Sequence, residues 1–465
     1  MRSAKSTTLE KISALRLKRL TVFAVFSLLS IITLAQDNSP YSRYGLGDLT
    51  PNTNIVNRGM GSFSAGYADP LSINFTNPAS YSSFMSYKEE RSKKIASGRV
   101  LFDVGINFDD HTLREGNSPQ KFTSSNALFS YMQVGVPLKK NWGLNFGLRQ
   151  ISRISYKIDR NERLSDPVTG LPIDSALTEF TGDGGSFLAT TGTGFAIKNF
   201  SVGVNFGYLF GKKEYSAKRA FINDTVAYNS SNHDTKTSFG NIFANAGIQY
   251  KIDLSKKLLL RLGAYGNLKQ NINAEQDVLR QTFNRTQSGD IQLDSVFEQK
   301  AVKGKIIYPS GYGLGFVLEK KPDLKNNKYA GWLLGVDLIQ NNWDEYRFYG
   351  APDFVQNNWE LRAGAQIRPE PKKNYFSNVS YRAGFFIGQD YIHVGGNLPL
   401  AGLSLGMGLP LANYNQLARG QASIINVSLE YTKRGNNDNL LKDNFFRVSV
   451  GLALSDLWFA KHKYE

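Results

Sequence analysis

The sequence predicts an all-β protein, a transmembrane β-barrel of about fourteen antiparallel strands with an N-terminal hatch in its lumen. Three features lead to this fold class: a secretory signal, a two-residue alternation of apolar and polar side chains, and a regular difference between short and long connections. A barrel of the outer membrane requires all three together.

The N-terminus has the layout of a secretory signal. An apolar run over residues 21–35 follows a basic stretch and precedes the polar residues 36–38. The run is shorter than the roughly 18 apolar residues that a membrane-spanning helix needs, which favours a cleaved signal over the alternative, an uncleaved anchor. We predict cleavage after Ala35, and domains at residues 1–35 (signal peptide), 36–98 (hatch) and 99–465 (barrel).

The chain is strongly basic, with 55 Lys and Arg against 39 Asp and Glu. Its lysines cluster in short connections, such as residues 139–140, 256–257, 320–321 and 372–373, and not along one face. That distribution favours contact with outer-membrane lipid and lipopolysaccharide and argues against a nucleic-acid partner. Cysteine is absent, which excludes disulfides and thiolate metal sites.

The last segment of the chain has the clearest alternation. Phe446, Val448 and Val450 fall on one face of a strand, and Arg447 and Ser449 fall on the other. A period of two gives a strand two different environments. Because the second face is rich in Gly, Ser, Asn and Arg, we assign the apolar face to lipid and the other face to a polar lumen.

About fourteen segments have this pattern, as expected for a barrel with an even number of strands. They are residues 99–108, 124–138, 141–157, 185–197, 199–213, 237–252, 256–272, 307–320, 329–341, 356–368, 378–389, 400–410, 420–433 and 443–459. The longest connections follow odd-numbered segments, and they are residues 158–184, 214–236 and 273–306. Bacterial barrels have short periplasmic turns and long external loops, so we predict that these three are extracellular loops.

Aromatic residues mark the ends of the predicted strands. Trp142, Trp332 and Trp458 fall at periplasmic ends, and Trp343 and Trp359 fall at outer ends, as aromatic girdles at the two membrane interfaces require. The last segment ends in a late aromatic pair and resembles the terminal signal that the outer-membrane assembly machinery reads. That machinery is therefore a predicted partner.

Residues 36–98 do not alternate, and they are too many for an ordered loop without a role. Pro78 fixes its own φ and holds Asn77 outside the helical region, and glycines allow a close approach to the barrel wall. A barrel of this size leaves a pore unless something fills it, so we predict a plug; a flexible leader is the alternative. The predicted hatch residues are Arg58, Gly59, Gly61, Gly66, Asp69, Asn77, Pro78 and Ala79.

The Gly-rich stretch at residues 58–69 and the following Asn77-Pro78-Ala79, ahead of the strands, resemble the FadL/TodX family of hydrophobic-compound transporters. The motif match covers residues 58–80 only. The resemblance implies a hatch that fills the lumen, with Asn-Pro-Ala as part of it, and a possible hydrophobic ligand. The type IX secretion shuttle protein belongs to the same structural group.

Charged residues on the lumenal faces of the strands are candidate partners of the hatch. We hypothesise that Arg58 and Asp69 pair with such residues. The candidates are Asp337, Glu360, Arg362, Arg368 and Arg447.

The third segment breaks its own pattern. Its apolar face, which includes Phe146 and Leu148, is interrupted by Gln150 and Ser152. Polar residues at this place indicate a bulge or a kink. Members of the FadL/TodX family are thought to release substrate sideways through a kink in an early strand, so Gln150 is a candidate lateral exit. A strand end near the outer interface is the alternative.

The sequence offers no catalytic or metal-binding pattern. None of the four histidines lies at metal-ligand spacing from another, and no nucleophile arrangement accompanies them. We therefore expect no enzyme activity and no cofactor. The predicted location is the outer membrane of a Gram-negative bacterium.

Two functions remain open. The first is passive uptake of a hydrophobic or amphipathic small molecule through the barrel. The alternative is a non-transporting scaffold, shuttle or assembly and secretion accessory that binds another protein. The polar composition of the long connections weakens the first, because a capture site for a greasy ligand needs a denser apolar surface. A general diffusion porin ranks third, since a hatch would block it.

Overall fold

The described part of the chain forms a closed antiparallel barrel of fourteen strands, which confirms the predicted fold class. In this computed structural model the described residues are 39–88, 95–115, 120–165, 168–170, 172–222, 229–286, 289–320, 330–411 and 422–458. The last strand pairs with the first, from Leu441 opposite Glu115 to Trp458 opposite Gly98, and this pairing closes the barrel. The predicted signal peptide and its cleavage site after Ala35 lie outside the described residues.

We number the barrel strands in chain order. Two of them, β7 and β8, each consist of two collinear parts separated by two residues. The strands are β1 (Ile95–Glu115), β2 (Lys121–Lys139), β3 (Trp142–Ser165), β4 (Pro172–Ile197), β5 (Phe200–Ile222), β6 (Ser230–Asp253), β7 (Leu258–Asn267 and Gln270–Thr286), β8 (Gly289–Tyr308 and Gly311–Lys320), β9 (Gly331–Asn341), β10 (Asn358–Arg368), β11 (Ser380–His393), β12 (Asn397–Pro410), β13 (Ala422–Arg434) and β14 (Leu441–Trp458). Each predicted segment overlaps one of these strands.

The two-residue alternation separates lipid from lumen, as predicted. In β5, Phe206, Tyr208 and Phe210 are exposed on the outer surface, whereas Asn205 and Leu209 are buried inside the barrel. A strand in this position meets hydrocarbon on one face and packed polar groups on the other, so its sequence must alternate. Among the described residues, no helix has the length and the hydropathy to cross a membrane.

One side of the barrel is much taller than the other. Strands β3 to β6 have 24, 26, 23 and 24 residues, whereas β9 and β10 have 11 each. About 9–11 residues suffice to cross a membrane, so the long strands continue far beyond it. We call the sheet of β3 to β8 the high side and the sheet of β9 to β13 the low side.

The long connections predicted as loops, residues 158–184, 214–236 and 273–306, are mostly β-hairpins. For example, β7 continues to Thr286 and β8 starts at Gly289. The prediction of loops is wrong because both faces of a strand meet water outside the membrane, and the alternation that reveals a strand then disappears. Residues 289–301 of β8 are exposed on both faces.

Residues 39–88 lie inside the barrel, and we call them the inner segment. The segment begins at the end predicted to be outer, where the backbone N–H of Ser39 donates to Ser155 O (2.8 Å), and ends at the opposite end of the barrel, where Ser86 pairs with Gly98 of β1. Its regular elements are short because its backbone follows the wall. They are 3-10 turns at Pro40–Arg43 and Pro78–Ser83, one helical turn α1 at Ile55–Arg58, and short strands at Asp48–Leu49 and Ser86–Lys88.

A hydrophobic cluster lies at the outer end of the lumen, and we call it the cap. Tyr41 and Leu46 of the inner segment pack there against Trp343 and Tyr346, which belong to the connection between β9 and β10. Inward side chains of the high side and of β11 complete the cluster. Trp343 is only 3% exposed, so its predicted position in an interfacial girdle is wrong; the tertiary packing of the cap takes it inside.

Candidate functional site

A ring of glycines on the lumenal face of the wall contacts the inner segment. A Cβ placed on Gly203 would lie 2.3 Å from the carbonyl carbon of Pro78, and one on Gly263 would lie 1.9 Å from the oxygen of Ala65. Carbon atoms cannot approach so closely, so only glycine lets the two backbones touch. Every barrel strand except β8 and β13 carries such a residue, and this glycine ring consists of Gly105, Gly135, Gly143, Gly194, Gly203, Gly247, Gly263, Gly335, Gly364, Gly384, Gly406 and Gly451.

The glycines that the sequence places in the hatch face the wall in the same way. Gly61 has φ +72°, and a Cβ on it would lie 2.4 Å from Ala363 O. Gly59 packs on Gly406, and a Cβ on Gly66 would lie 2.6 Å from a backbone oxygen of β7. At these glycines the backbone of the inner segment touches the wall. Neither the inner segment nor the wall has room there for a side chain.

Arg58 is fully buried between the inner segment and the wall. Its guanidinium donates to Asn107 Oδ1 (2.6 Å) and Ser130 Oγ (2.7 Å) on the wall. It also donates to the backbone oxygens of Pro51 (3.1 Å) and Thr53 (3.0 Å). No ion pair among the described residues includes Arg58, so the hypothesised pairing with lumenal carboxylates is wrong. Neutral oxygens arranged around the guanidinium satisfy its donors instead.

The hypothesised pairing with a charged lumenal residue holds for Asp69, whose Oδ2 lies 3.4 Å from Nη2 of Arg368. Asp337 contacts the inner segment in another way. Its Oδ2 accepts the backbone N–H groups of Ser64 (2.6 Å) and Ala65 (2.8 Å). A carboxylate that accepts two backbone donors makes strong charge-assisted hydrogen bonds, so Asp337 attaches the inner segment to β9.

The remaining predicted lumenal charges pair mainly with other wall residues. Arg362 forms an ion pair with Glu360 (2.8 Å), and its Nη1 also donates to Ser62 O (3.2 Å) of the inner segment. Arg447 forms an ion pair with Asp109 through Nε (2.6 Å). These pairs neutralise charge that faces the lumen.

The Asn-Pro-Ala turn lies against β5, β6 and β7. Asn77 Oδ1 accepts the N–H of Ala79 (3.1 Å) and caps the 3-10 turn that Pro78 begins. Asn77 Nδ2 donates to Ala65 O (2.7 Å), which ties two parts of the inner segment together. A Cβ on Gly247 would lie 2.0 Å from Asn77 Oδ1, so the turn fits only against glycine.

Sequence reasoning missed several wall residues that hold the inner segment. Tyr131 Oη accepts the N–H of Ile55 (3.2 Å), and Gln249 Nε2 donates to the oxygens of Ala65 (2.9 Å) and Tyr67 (3.1 Å). Both lie on the lumenal faces of their strands. The alternation identifies that face, but it gives no signal for which polar residues reach the inner segment.

A cavity of about 280 Å³ lies in the lumen between the glycine ring and the cap. Its lining mixes aromatic residues such as Tyr308 with charged residues such as Glu430 and Arg434. Arg434 forms ion pairs with Asp48 (2.8 Å) and Asp390 (2.8 Å). A site for an apolar ligand is lined mainly by apolar side chains, and this one is not.

Strands β2 and β3 separate above the pair formed by Tyr131 and Arg149. Each carries an extra residue near this point, and in β3 the register shift lies between Gln150 and Ser152. We call this place the seam. The candidate lateral exit Gln150 therefore lies beside a β-bulge, and its role stays a prediction.

The inner segment covers the edge of β3 at the seam. Asp48 and Leu49 pair with Arg153 and Ser152, and the N–H of Thr50 donates to Ile151 O (3.0 Å). A backbone N–H or C=O group without a hydrogen-bond partner is costly in a membrane. At the seam the inner segment supplies to β3 the hydrogen-bond partners that β2 does not supply.

The structure offers no metal site among the residues that it describes. His111 lies in β1, beyond the end of the predicted segment 99–108, and its Nδ1 lies 3.0 Å from Asp443.

Near the cap, Lys213 of β5 lies beyond the apolar band that ends at Phe210, and its Nζ donates to Gly45 O (2.5 Å). Burial lowers the pKa of Lys213 to about 8, because removal from water disfavours the charged form.

A family model described as BamG matches residues 17–465. The chain belongs to the BamG family. No curated protein sequence matches it significantly.

Several solved barrels resemble the chain in architecture. The toluene transporter TbuX of Ralstonia pickettii is 10% identical, with a TM-score of 0.49, and the match covers 87% of this chain and 98% of that one. The toluene transporter TodX of Pseudomonas putida is 13% identical, with a TM-score of 0.49 and the same coverage. A Pseudomonas aeruginosa FadL homologue is 12% identical, with a TM-score of 0.47, over 89% and 100%. These proteins share the barrel architecture of this chain, and the likeness carries no function to it.

Proposed function

We propose that this member of the BamG family is a non-transporting barrel of the outer membrane that binds another protein and assists outer-membrane assembly. The observation that carries the proposal is a lumen filled at two levels by the chain itself. At the lower level the inner segment packs on the glycine ring, and at the outer level the cap closes the lumen. The plug role of residues 36–98 is part of this proposal.

Passage through the lower level would require the inner segment to leave the wall. Such a movement would strip the buried guanidinium of Arg58 of its two wall acceptors and Asp337 of its two backbone donors. Each buried polar group left without a partner costs about 1–3 kcal/mol, and a charged group costs more. The filled state is therefore strongly favoured, and this supports a binding role over transport.

The family and the high side support a protein as the ligand. The name BamG connects the family with outer-membrane assembly. The hairpin of β7 and β8 places residues 289–301 in solvent on both faces, with Ile291, Val296 and Phe297 exposed. Exposed apolar side chains on a projecting element mark a surface for a partner protein.

Depletion of the protein tests this proposal. We expect the amounts of many other folded outer-membrane barrels to fall together, measured by quantitative mass spectrometry of purified outer membranes. Copurification in mild detergent should also yield a protein partner in stoichiometric amount. Unchanged amounts of other barrels, together with a bound lipid-like molecule and no partner, would contradict the proposal.

The seam favours a second candidate, uptake of an amphipathic small molecule with sideways release near Gln150. The cavity reaches the seam, since Arg149, Ile151 and Arg153 line it. Leu49 and Ser152 are paired neighbours, so the double variant Leu49→Cys and Ser152→Cys can form a disulfide that locks the seam. The chain has no other cysteine that could compete. Uptake of a hydrophobic dye should then stop if the second candidate is right, and Gln150→Leu should reduce it. No dye uptake in the unmodified protein supports the first proposal.

A further inference from the structure

Four cations lie at the same height on neighbouring strands at the outer end of the barrel. Lys442 of β14 is directly opposite Arg114 of β1, and Arg114 is opposite Lys121 of β2. Lys433 of β13 is opposite Asn444, two residues along β14 from Lys442. Residues that are opposite one another, or two apart in a strand, share a face of the sheet. The four side chains therefore lie on one face, and we call them the basic patch.

The basic patch is on the outer surface of the barrel, just above the apolar band. Tyr431 and Phe446 are opposite one another on the same face, two residues below Lys433 and Asn444, and they are 46% and 43% exposed. Large aromatic side chains with this exposure belong to the surface that faces lipid. The patch is thus at the level of the head groups of the outer leaflet.

The charges of the patch have no acidic partners. Among the described residues, none of the four cations forms an ion pair, and the Nε of Arg114 is buried without a hydrogen-bond partner. Like charges directly opposite in a sheet repel one another. Asp110, which accepts from Ser125, lies below the patch, and Asp438 is at its upper rim.

A concave site lies at the patch, with a volume of about 610 Å³. Arg114, Lys433 and Lys442 line it together with the side chains of Asn436, Asn437 and Asn444. Amide and ammonium groups together offer many donors, and an arginine fork matches the oxygens of a phosphate. The volume is large enough for a phosphorylated sugar and not only for a small ion.

We propose that the basic patch binds the phosphorylated head group of a glycolipid of the outer leaflet, of the lipid A type. Its position above Tyr431 and Phe446 allows the acyl chains to lie along the apolar band while the phosphate reaches Arg114. The patch lies on the outer surface of β13, β14, β1 and β2, and it requires no opening of the lumen.

The test compares the wild-type barrel with the triple variant Arg114→Gln, Lys433→Gln and Lys442→Gln, each in nanodiscs free of glycolipid. Binding of bisphosphorylated lipid A is measured by native mass spectrometry. Because exposed charge pairs each contribute modestly, we expect the triple variant to bind about tenfold more weakly. The dephosphorylated lipid should bind both proteins equally weakly.

The matched control removes three exposed lysines at periplasmic turns, Lys256→Gln, Lys257→Gln and Lys373→Gln, and should bind like the wild type. If the triple variant fails to fold, the single variant Lys433→Gln, at an exposed position, replaces it in the same binding measurement. Equal binding by the patch variant and the wild type would overturn the proposal, as would an equal loss in the control. Displacement of the lipid by inorganic phosphate at equal concentration would identify a simple ion site and would also overturn it.

Discussion

The inner segment and the hairpins of the high side are both extensions beyond the membrane-crossing strands, yet they have opposite surroundings. The inner segment is buried against the glycine ring, and even its polar residues Arg58 and Asn77 are 0% exposed. The hairpin of β7 and β8 is exposed on both faces at residues 289–301. The same chain thus keeps the inside of this barrel close-packed and leaves the hairpin exposed to solvent on both faces.

The packing of the two regions predicts opposite responses to mutation. A close-packed contact loses stability when atoms are added or polar partners are removed. An exposed hairpin contributes little to the stability of the barrel, so changes in it should affect partner binding alone. Three variants separate these responses, in order of expected effect.

Gly203→Leu should have the largest effect on stability. The new side chain would overlap the carbonyl carbon of Pro78, so the inner segment or β5 must move, at a cost of about 3 kcal/mol or more. The measurement is urea unfolding of the barrel in lipid vesicles. Val204→Leu places the same leucine on the lipid side of the same strand and should change little. Unchanged stability of Gly203→Leu would contradict direct contact between the two backbones.

Arg58→Met should destabilise the barrel by about 2–3 kcal/mol, because it removes the donor to Ser130 Oγ and to the backbone oxygens of Pro51 and Thr53. The same variant should raise ion conductance in planar bilayers, since the inner segment becomes looser. Arg160→Met, at an exposed position of β3, is the control and should alter neither quantity. A stable, non-conducting Arg58→Met barrel would show that the inner segment is held without Arg58.

Shortening the hairpin of β7 and β8 should have the smallest effect on stability, under about 0.5 kcal/mol. Replacing residues 285–290 with Asn-Gly joins the paired positions 284 and 291 by a two-residue turn and keeps the buried Phe283. The same variant carries Ile291→Ser, Val296→Ser and Phe297→Ser, which remove the exposed apolar side chains of the hairpin. We expect loss of the copurifying partner with an unchanged unfolding curve. A large fall in stability, or retention of the partner, would place the binding surface elsewhere.

The alternation in the sequence was enough to predict the strands inside the membrane, because each of their faces has a constant environment. It could not predict the extensions of β3 to β8, where both faces are wet, nor the path of residues 342–357 into the cap. The hatch glycines Gly59, Gly61 and Gly66 were predictable as points of close approach. Their counterparts in the glycine ring were not, since an isolated glycine in a strand has no sequence feature that reveals its partner.

The predicted charges illustrate the same limit. Asp337 and Arg368 do contact the inner segment, but Arg58 binds neutral oxygens. Sequence identifies which residues face the lumen. The partner of each depends on the three-dimensional path of the inner segment.

Complementation of a depleted strain tests the central claim most directly, that the lumen is closed and the outer hairpins act. The measured quantity is the amount of other folded outer-membrane barrels, determined by quantitative mass spectrometry. We expect the variant locked by Leu49→Cys and Ser152→Cys to restore this amount, and the variant with the shortened hairpin not to restore it. If the variant with the shortened hairpin restored the amount of other barrels and the locked variant did not, both the closed lumen and the role of the outer hairpins would be contradicted.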